Sequence, residues 1–298
     1  MDEVLEKQKR YNIFNDIYVM ENSYNTLLID GPYLYHRSAN VPYKLTNSSG
    51  VDTTSLHSFF VSINALRKKF NPDEIIVTWE SHGTPSWRKK ISSKYKLNYE
   101  SNVDPIQLKD IQYLLHLFGV PQYYAPENEA DDVLASLKES SKGCIVIFTI
   151  DKDIMQLVDD HTHIWNGKKL FKIKDVKEKF LVEPKEIPDL LAICGDNVDN
   201  IIGIKGYGPK KSAKIINKYG SIENFIKEEK CNFPFRLSMN KSLTLLNNKC
   251  KVKKLYEIVF SDDVRNENIN KMLRMYGLNT IEKNLDEFLL LGKCLKKP

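Results

Sequence analysis

The sequence predicts an α/β fold with a parallel-rich central sheet flanked by helices, followed by a smaller helical region. Short apolar runs alternate with segments of helical hydrophobic spacing over residues 26–151. This alternation is typical of strand–helix–strand units, which pair their strands in parallel and place helices on both faces. After about residue 184 the pattern changes to short helices and turns. The length of 298 residues suits about two domains.

The first strand is expected at Thr26–Asp30, an apolar run that ends at Asp-Gly-Pro, which is a turn signal. Apolar residues then recur every three or four positions over 53–70, and this spacing predicts a helix that ends at Asn71-Pro72. Residues 74–80 (EIIVTWE) form the next predicted strand. Strand and helix therefore alternate from the start of the pattern.

Asp104 followed by Pro105 predicts the start of another helix, because this pair is typical of a helix N-terminus. Gly119 suits the end of the same helix. A short strand near 122–125 and a further helix come next. Residues 144–151 (CIVIFTID) form a near-continuous apolar strand of the kind that is buried on both faces of a sheet.

The composition excludes several classes of protein. A hydrophobic fraction of 42% is enough for a sizeable core and excludes disorder over the whole chain. Apolar runs stay well below the roughly 18 residues that span a bilayer, and the charged N-terminus does not resemble a signal peptide. The five cysteines lack a C-x-x-C spacing and the six histidines lack zinc spacing, so we expect a reducing, intracellular location. The net charge of +5 is compatible with a polyanionic partner.

Carboxylates stand at or beside the carboxyl ends of the predicted strands, where ligands bind in open α/β sheets. The full set is Asp30, Glu80, Glu129, Asp131, Asp132, Asp151, Asp153, Asp196 and Asp199. Like charges at one edge repel each other unless a cation compensates them, and Mg²⁺ and Mn²⁺ prefer oxygen ligands. Together the acids predict a site for two divalent metal ions, although each cluster alone also suits a solvated turn or helix start.

Two segments are rich in cations and free of acids. In the first (RKKISSKYK, 88–96), Tyr95 offers a stacking surface and Lys96 a charge for an attacked phosphate; the alternative is a solvated basic helix. The second (GIKGYGPKKSAKII, 203–216) predicts a helix–hairpin–helix that grips a DNA backbone, or otherwise a plain glycine-rich turn. The predicted DNA contacts are Lys89, Lys90, Lys94, Tyr95, Gly206, Gly208, Lys210, Lys211, Ser212 and Lys214.

Five motifs occur in order along the chain. They are IDGPYLYHR, WESHGTPSWRKKISSKYK, ENEADDVLASL, TIDKDIMQLV and GDNVDNIIGIKGYGPKKSAKII. In this combination the chain resembles the 5′-nuclease (flap endonuclease) superfamily, in particular the bacteriophage 5′→3′ exonucleases and the 5′-nuclease domain of bacterial DNA polymerase I. The similarity runs from about residue 25 to about residue 220.

The resemblance implies a PIN-like α/β nuclease core over 23–183 that carries a helical arch at about 85–103. Residues 1–22 would be an N-terminal extension. Residues 184–298 would be a helical region, with the helix–hairpin–helix (helix–three-turn–helix) motif at about 196–220. In the family this motif binds duplex DNA and often holds a K⁺ ion on backbone carbonyls.

The same resemblance implies roles for individual residues. All nine acids would be metal ligands or their supporting acids. Arg37 would contact a phosphate, and Arg88 and Lys96 would be catalytic basic residues of the arch. Two positions depart from the family pattern: Glu80 stands where Asp is usual, and Tyr99 stands where an Arg would follow the Tyr-Lys pair.

The resemblance implies a Mg²⁺-dependent enzyme, with Mn²⁺ as a substitute, that hydrolyses DNA at 5′ flaps, nicks and duplex 5′ ends by a two-metal mechanism. It would act in DNA replication or repair, as a monomer and away from membranes. One alternative is an RNase-H-like nuclease that removes RNA primers from RNA–DNA hybrids. Another alternative, from a different class, is a branched-DNA-binding protein whose catalysis has decayed. The sequence does not indicate a protein partner.

Overall fold

The computed structural model describes residues 24–81, 83–97, 103–229 and 234–293. The strands are β1 Thr26–Asp30, β2 Glu74–Thr78, β3 Gln122–Tyr124, β4 Ile145–Phe148, β5 Thr162–Trp165, β6 Leu170–Phe171, β7 Gly195–Asp196, β8 Ile201–Ile202 and β9 Lys253–Lys254. A sheet with the strand order β6-β5-β4-β1-β2-β3-β9 runs through the centre of the protein, and β7 pairs with β8 in a separate hairpin. The five inner strands are parallel, while β6 and β9 are antiparallel to their neighbours.

Helices flank this sheet and fill the C-terminal region. Among the described helices, none is both long enough and apolar enough to cross a membrane. The helices are α1 Gly31–Ala39, α2 Thr54–Phe70, α3 Trp87–Ile91, α4 Pro105–Leu117, α5 Ala130–Ser140, α6 Ile173–Phe180, α7 Ile187–Cys194, α8 Pro209–Tyr219, α9 Ile222–Glu228, α10 Pro234–Thr244, α11 Asp262–Tyr276, α12 Asn279–Lys283 and α13 Leu285–Leu289. Two 3₁₀ helices lie at Asp153–Leu157 and Pro184–Glu186.

The sheet separates two hydrophobic cores, because successive residues of a strand point to opposite faces. In β1, Leu27 and Ile29 pack in one core with α2, α4 and α11. Leu28 packs in the other core with α5, α7 and α8. Both faces of β1 are buried, which explains its uninterrupted apolar sequence. The predicted α/β class is confirmed.

Most of the predicted elements lie within two or three residues of the positions that the sequence predicts. The Asp104 side chain accepts hydrogen bonds from the two amides at the start of α4 at 2.9 and 3.2 Å, so it is the expected cap. Gly119 ends the helix with a φ of +78°, which favours glycine. β2 and β4 end earlier than predicted. Glu80 and Asp151 consequently lie in the loops that follow these strands rather than within them.

The C-terminal region differs from the prediction in one respect. We expected helices and turns, but β9 joins the central sheet beside β3, with Lys254 opposite Tyr123. α11 also packs in the same core as α2 and α4. A two-residue strand has no alternating pattern that would reveal it in a sequence. The predicted N-terminal extension (1–22) and Tyr99 lie outside the described residues.

Candidate functional site

Acids from four parts of the chain meet at the carboxyl edge of the sheet. Asp30 ends β1, Glu80 follows β2, Asp151 follows β4, and Asp131 lies in the first turn of α5. These four residues, here called the cleft acids, line a cleft of about 430 Å³ together with Lys96 and Asp199. The sheet therefore gathers side chains that are far apart in sequence, as the strand-end positions predict.

Two hydrogen bonds hold the Asp30 carboxylate in place at this edge. Its Oδ1 accepts a hydrogen bond from the Tyr33 amide at 3.0 Å and so caps α1. Its Oδ2 accepts a hydrogen bond from the Thr149 hydroxyl at 2.8 Å. Burial raises the pKa of Asp30 to about 6, and repulsion from Asp151 and Glu80 adds to the increase. The carboxylate form is disfavoured here unless positive charge is brought close.

A second acid group consists of Asp153, Asp196 and Asp199, which are all buried. One oxygen of each lies within 4.8 Å of one oxygen of the others. Asp153 begins the first 3₁₀ helix, and the β7–β8 hairpin carries Asp196 and Asp199. Burial, followed by repulsion from Asp151 and the other acids, raises the pKa of Asp153 well above its ordinary value. Lys152 pairs with Asp196 at 2.6 Å and offsets part of this charge.

Asp151 connects the two groups. Its Oδ1 accepts a hydrogen bond from the Asp153 amide at 2.8 Å. In addition to the larger effect of burial, its charge raises the pKa values of Asp30, Asp131 and Asp153. The acids on either side of Asp151 therefore behave electrostatically as one centre.

The donor set fits hard divalent cations. Carboxylate oxygens are the ligands that Mg²⁺ and Mn²⁺ prefer, and close carboxylates require compensating charge. Asp153 Oδ1 is buried and lacks a hydrogen-bond partner among the described residues, so this oxygen is free to bind an ion. The cleft acids could hold one ion and the second acid group another, and Asp151 is the cleft acid that contacts the second group.

Of the two roles that the resemblance implies for Asp132, metal ligand or supporting acid, the contacts of its side chain fit the supporting role. Its side chain is 0% exposed, although the neighbouring Asp131 lines the cleft. Its Oδ1 accepts hydrogen bonds from Arg88 Nη2 and the Asn247 amide, both at 2.8 Å. Its Oδ2 accepts from Arg88 Nη1 at 2.8 Å, Trp87 Nε1 at 3.1 Å and the Glu129 amide at 3.2 Å. These bonds occupy the roughly four lone-pair positions of a carboxylate and leave no position for an ion.

Arg88 differs from the prediction of a catalytic residue on the arch. It is 1% exposed, and each of its N–H groups has an acceptor. Nε donates to the Leu243 carbonyl at 2.8 Å, and Nη2 donates to the Leu245 carbonyl at 3.1 Å. The remaining bonds go to Asp132 and to Glu129 Oε2. α3 directs this side chain into the protein, so it does not face the cleft.

Lys96 lies beside the acids, as predicted. Its Nζ donates to Glu129 Oε1 at 3.1 Å, and it lines the cleft. Burial alone would lower the pKa of Lys96, but Glu129 and the neighbouring acids raise it well above its ordinary value. Lys96 is therefore held as a cation.

Tyr95 is 3% exposed, and its hydroxyl lies 3.1 Å from Glu129 Oε2 and 3.2 Å from Asp199 Oδ2. The prediction of an exposed stacking surface at Tyr95 does not match this position.

The other predicted cations of this segment point outward. Lys89, Lys90 and Lys94 are exposed, and Lys90 pairs with Glu127 at 2.7 Å. Of the segment predicted as an arch (about 85–103), the structure describes residues 85–97 and 103, and among these only α3 is helical. The exposed lysines are accessible to a polyanion, whereas the side chains of Arg88 and Tyr95 are buried and are not accessible.

Arg37 lies on α1 next to the cleft. Its Nη1 is 3.4 Å from the hydroxyl of Tyr33, a residue that lines the cleft. The guanidinium group is 6.0 Å from the centroid of the Phe148 ring. This position leaves Arg37 close enough to the cleft for the predicted phosphate contact.

The β7–β8 hairpin leads into α8 through a tight glycine-rich turn. A Cβ atom on Gly203 would lie 2.3 Å from the carbonyl carbon of Cys194, so two backbone segments touch there. Gly206 has a φ of +85° and open space around it. Gly208 precedes Pro209 at the start of α8, whose first turn carries no acid. The turn therefore exposes backbone groups at a helix N-terminus, which is suited to an anion.

The lysines of α8 surround this exposed helix start. Lys210, Lys211 and Lys214 are exposed, as the sequence predicts for phosphate-binding residues. Ser212 differs from its predicted role as a DNA contact. It is fully buried, and its hydroxyl donates to the Tyr207 carbonyl at 3.2 Å. Its position on the inner face of α8 keeps the side chain away from solvent.

Some residues that shape the site have no obvious signal in the sequence. Thr149 holds Asp30, and Lys152 holds Asp196. Both residues flank Asp151 in the TIDKD motif, so proximity to an acid was the one available signal. Asn247 donates to Asp132 from 115 residues away, and sequence spacing gave no indication of that contact.

Comparison with known proteins gives two family models that together cover most of the chain. The model described as "5'-3' exonuclease, N-terminal resolvase-like domain" matches residues 25–181. The model described as "5'-3' exonuclease, C-terminal SAM fold" matches residues 182–287. The 5'-3' exonuclease of Aquifex aeolicus is 35% identical over 268 residues, which is 87% of this chain and 90% of that protein. DNA polymerase I of Pseudomonas aeruginosa is 34% identical over 202 residues, or 65% of this chain but 22% of the polymerase.

Solved structures show the same fold. Flap endonuclease-1 from Methanococcus jannaschii aligns with a TM-score of 0.63 at 16% identity, over 93% of this chain and 94% of that one. The bacteriophage T5 flap endonuclease, in a pseudo-enzyme-product complex with DNA and metal ions, aligns with a TM-score of 0.61 at 19% identity. That alignment covers 89% of this chain and 99% of the T5 chain.

Proposed function

Because the chain belongs to the 5′-3′ exonuclease family, and so is an enzyme of the 5′-3′ exonuclease and flap endonuclease class, we propose that it hydrolyses DNA phosphodiesters at 5′ flaps, nicks and duplex 5′ ends with the help of two Mg²⁺ ions. The observation that carries this proposal is the pair of acid groups joined by Asp151. Lys96 is the cation held beside them. Mn²⁺ would substitute for Mg²⁺, because both ions prefer oxygen ligands.

The protein's own side chains have separate tasks at this centre. The cleft acids and the second acid group would each hold one ion, which when bound activates water and stabilises the leaving oxygen. Lys96 brings a fixed positive charge to the place where a scissile phosphate gains negative charge. Glu129 and Tyr95 orient that lysine rather than contact substrate. Arg37, which lies beside the cleft residue Tyr33, would contact a neighbouring phosphate.

DNA binding away from the cleft would rest on the turn before α8. Lys210, Lys211 and Lys214 are exposed around a helix start without acids, an arrangement that suits backbone phosphates and does not read bases. The exposed Lys89, Lys90 and Lys94 would guide a strand toward the cleft. A K⁺ ion on the backbone carbonyls of the glycine-rich turn is part of the same proposal.

The cellular role remains part of the proposal. We infer that the enzyme acts in DNA replication or repair, as a monomer in a reducing, intracellular compartment. The cysteines of the described residues are unpaired thiols, which agrees with such a compartment. Primer removal from RNA–DNA hybrids uses the same chemistry and is an alternative. The intact acid groups argue against a DNA-binding protein that has lost catalysis.

Cleavage mapping tests the proposal. The protein is incubated with 5′-labelled flap, nicked and blunt duplex DNA, and with matched RNA–DNA hybrids, in Mg²⁺, in Mn²⁺ or in EDTA. We expect short 5′ products from DNA in both metals and none in EDTA. Faster cleavage of the hybrids would favour primer removal. Tight binding to the flap without any cleavage in either metal would contradict an active nuclease.

A further inference from the structure

The pair formed by Arg88 and Asp132 is closed to solvent and complete in its hydrogen bonds. The two side chains are 2% and 0% exposed. Every N–H group of Arg88 has a carbonyl or carboxylate acceptor, and Asp132 receives donors at both oxygens. A phosphate could reach Arg88 only by displacing a carboxylate, and an ion could reach Asp132 only by displacing N–H donors.

The main contribution of this pair is to fix the relative positions of two helices, not to add stability. A buried ion pair often adds little net stability compared with apolar side chains of the same size. The fork-to-fork contact between a guanidinium group and a carboxylate, however, defines the relative position of both groups. Here it attaches α3, which carries Arg88, to the first turn of α5, which carries Asp132.

Glu129 is the residue that this pair positions. Its amide donates to Asp132 Oδ2 at 3.2 Å, and its Oε2 accepts from Arg88 Nη1 at 2.8 Å. Backbone and side chain are thus both attached to the pair. The remaining oxygen, Oε1, accepts from Lys96 Nζ at 3.1 Å. Glu129 therefore has one oxygen on the buried pair and the other on the lysine in the cleft.

Lys96 depends on such a contact for its position. A lysine side chain is flexible and carries its charge at the end of a four-carbon stem. The residue also has a φ of +47°, in the left-handed region. Its Nζ contact with Glu129 and the Tyr95 ring, whose centroid lies 5.4 Å from Nζ, restrain the charge at the cleft. A displacement of about 1 Å can cost on the order of 10²-fold in rate.

The opposite side of the pair contacts a distant part of the chain. Arg88 donates to the carbonyls of Leu243 and Leu245, and Asp132 accepts from the Asn247 amide. These three residues lie at the end of α10 and in the loop that follows it. The buried pair thereby connects the C-terminal helical region to the segment that carries Lys96.

From this geometry we propose that Arg88 and Asp132 are positioning residues, which place the Lys96 ammonium at the cleft through Glu129 and neither contact phosphate nor bind metal. The inference rests on the proposed function, because it concerns the same cleft. It assigns to both residues a role different from that of the acids and cations that line the cleft.

A double-mutant cycle tests this role. Asp132→Asn keeps the size of the side chain but places an N–H₂ group against the Arg88 donors. We expect it to slow single-turnover cleavage of a 5′ flap at saturating enzyme by about tenfold or more. In a Lys96→Ala background the same change should cost less than about twofold, because residues that act through one group are not additive. Equal losses in both backgrounds would overturn the proposal.

Direct metal binding provides a readout that does not depend on activity. Mn²⁺ binding is followed by calorimetry or by the electron paramagnetic resonance signal of the free ion. We expect Asp132→Asn to bind as many Mn²⁺ ions as the wild type, with midpoints within about threefold, and Asp153→Asn to lose a site. Loss of an ion in Asp132→Asn would make Asp132 a ligand and overturn the proposal.

Asp189→Asn is the matched control. Asp189 is also buried, and it pairs with Lys241 at 2.7 Å away from Glu129. Asp189→Asn should lower the temperature of unfolding, but it should change the cleavage rate by the same factor in the wild-type and Lys96→Ala backgrounds. If Asp132→Asn does not fold, Arg88→Lys, which keeps the charge and loses the fork, takes its place in the cycle. A wild type that binds no Mn²⁺ and cleaves nothing would contradict the proposed function itself.

Discussion

The main-chain amide of Lys96 donates a hydrogen bond to the carbonyl oxygen of Asp199 at 3.0 Å. This bond attaches the basic segment to the turn that carries one acid of the second group. The Lys96 side chain meanwhile contacts Glu129 at the edge of the cleft acids. Lys96 therefore has a defined position relative to both acid groups, as the proposed stabilisation of a phosphate between them would require.

Lys96→Ala should slow the chemical step more than it weakens DNA binding. The lysine acts on charge that develops in the transition state, so the loss appears in the single-turnover rate, by about 10²-fold or more. Affinity for a flap substrate should change by less than about fivefold. Lys68→Ala is the control and should change neither quantity. Lys68 lies in the last turn of α2, near the amino end of β2, whereas the cleft lies at the carboxyl edge of the sheet. A loss confined to affinity would make Lys96 a steering charge.

Alanine at Lys210, Lys211 or Lys214 should weaken binding equally for unrelated DNA sequences. Each side chain is exposed beside the start of α8, where it would neutralise one phosphate. The slope of log affinity against log salt should fall by about one unit for each lysine removed. Binding assays over a salt series measure the slope. An unchanged slope would show that these lysines are solvated and do not contact DNA.

Glu80 is one of the two positions at which the chain departs from the pattern that the resemblance implies. It is exposed in the loop after β2, whereas Asp30 beside it is buried. A longer side chain in this position suits contact with an ion through a water molecule. Glu80→Asp should keep single-turnover activity within about tenfold, and Glu80→Ala should lose activity in Mg²⁺ that Mn²⁺ partly restores. Wild-type activity of Glu80→Ala in Mg²⁺ would exclude Glu80 from the site.

Two glycines of the turn before α8 should respond differently to alanine. A Cβ on Gly203 would collide with the backbone of Cys194, whereas a Cβ on Gly208 would meet open space. Gly203→Ala should therefore lower the free energy of unfolding by about 1–3 kcal/mol. Gly208→Ala should change it by less than about 1 kcal/mol. Urea unfolding of the two variants measures the difference, and equal stability would contradict the described backbone contact.

The sequence predicts the sheet and the convergence of acids well, because strand periodicity and strand-end positions are local patterns. It does not predict orientation within a helix. Asp131 and Asp132 are neighbours with the same charge, but successive residues differ by about 100° around a helix. One therefore faces the cleft and the other faces the interior. The same rotation in α3 buries Arg88 while Lys89 and Lys90 stay exposed.

The sequence also does not predict contacts between residues that are far apart in the chain. Asp132 meets Asn247, and β3 pairs with β9. Such contacts depend on how distant segments pack, which no spacing rule encodes. The domain boundary near residue 183 stays a prediction.

Asp151→Asn and Asp153→Asn provide the sharpest test of the two-metal proposal. Asp151 joins the acid groups, and among the described residues one buried oxygen of Asp153 has no hydrogen-bond partner. Either change therefore removes charge from the centre without altering the exposed lysines of α8. The measurement is single-turnover cleavage of a 5′-labelled flap over a range of Mg²⁺ concentrations, with flap affinity determined in parallel. We predict that each variant loses hydrolysis while its affinity stays within about threefold of wild type. Cleavage at the wild-type rate in Mg²⁺ by the double variant would contradict the proposal.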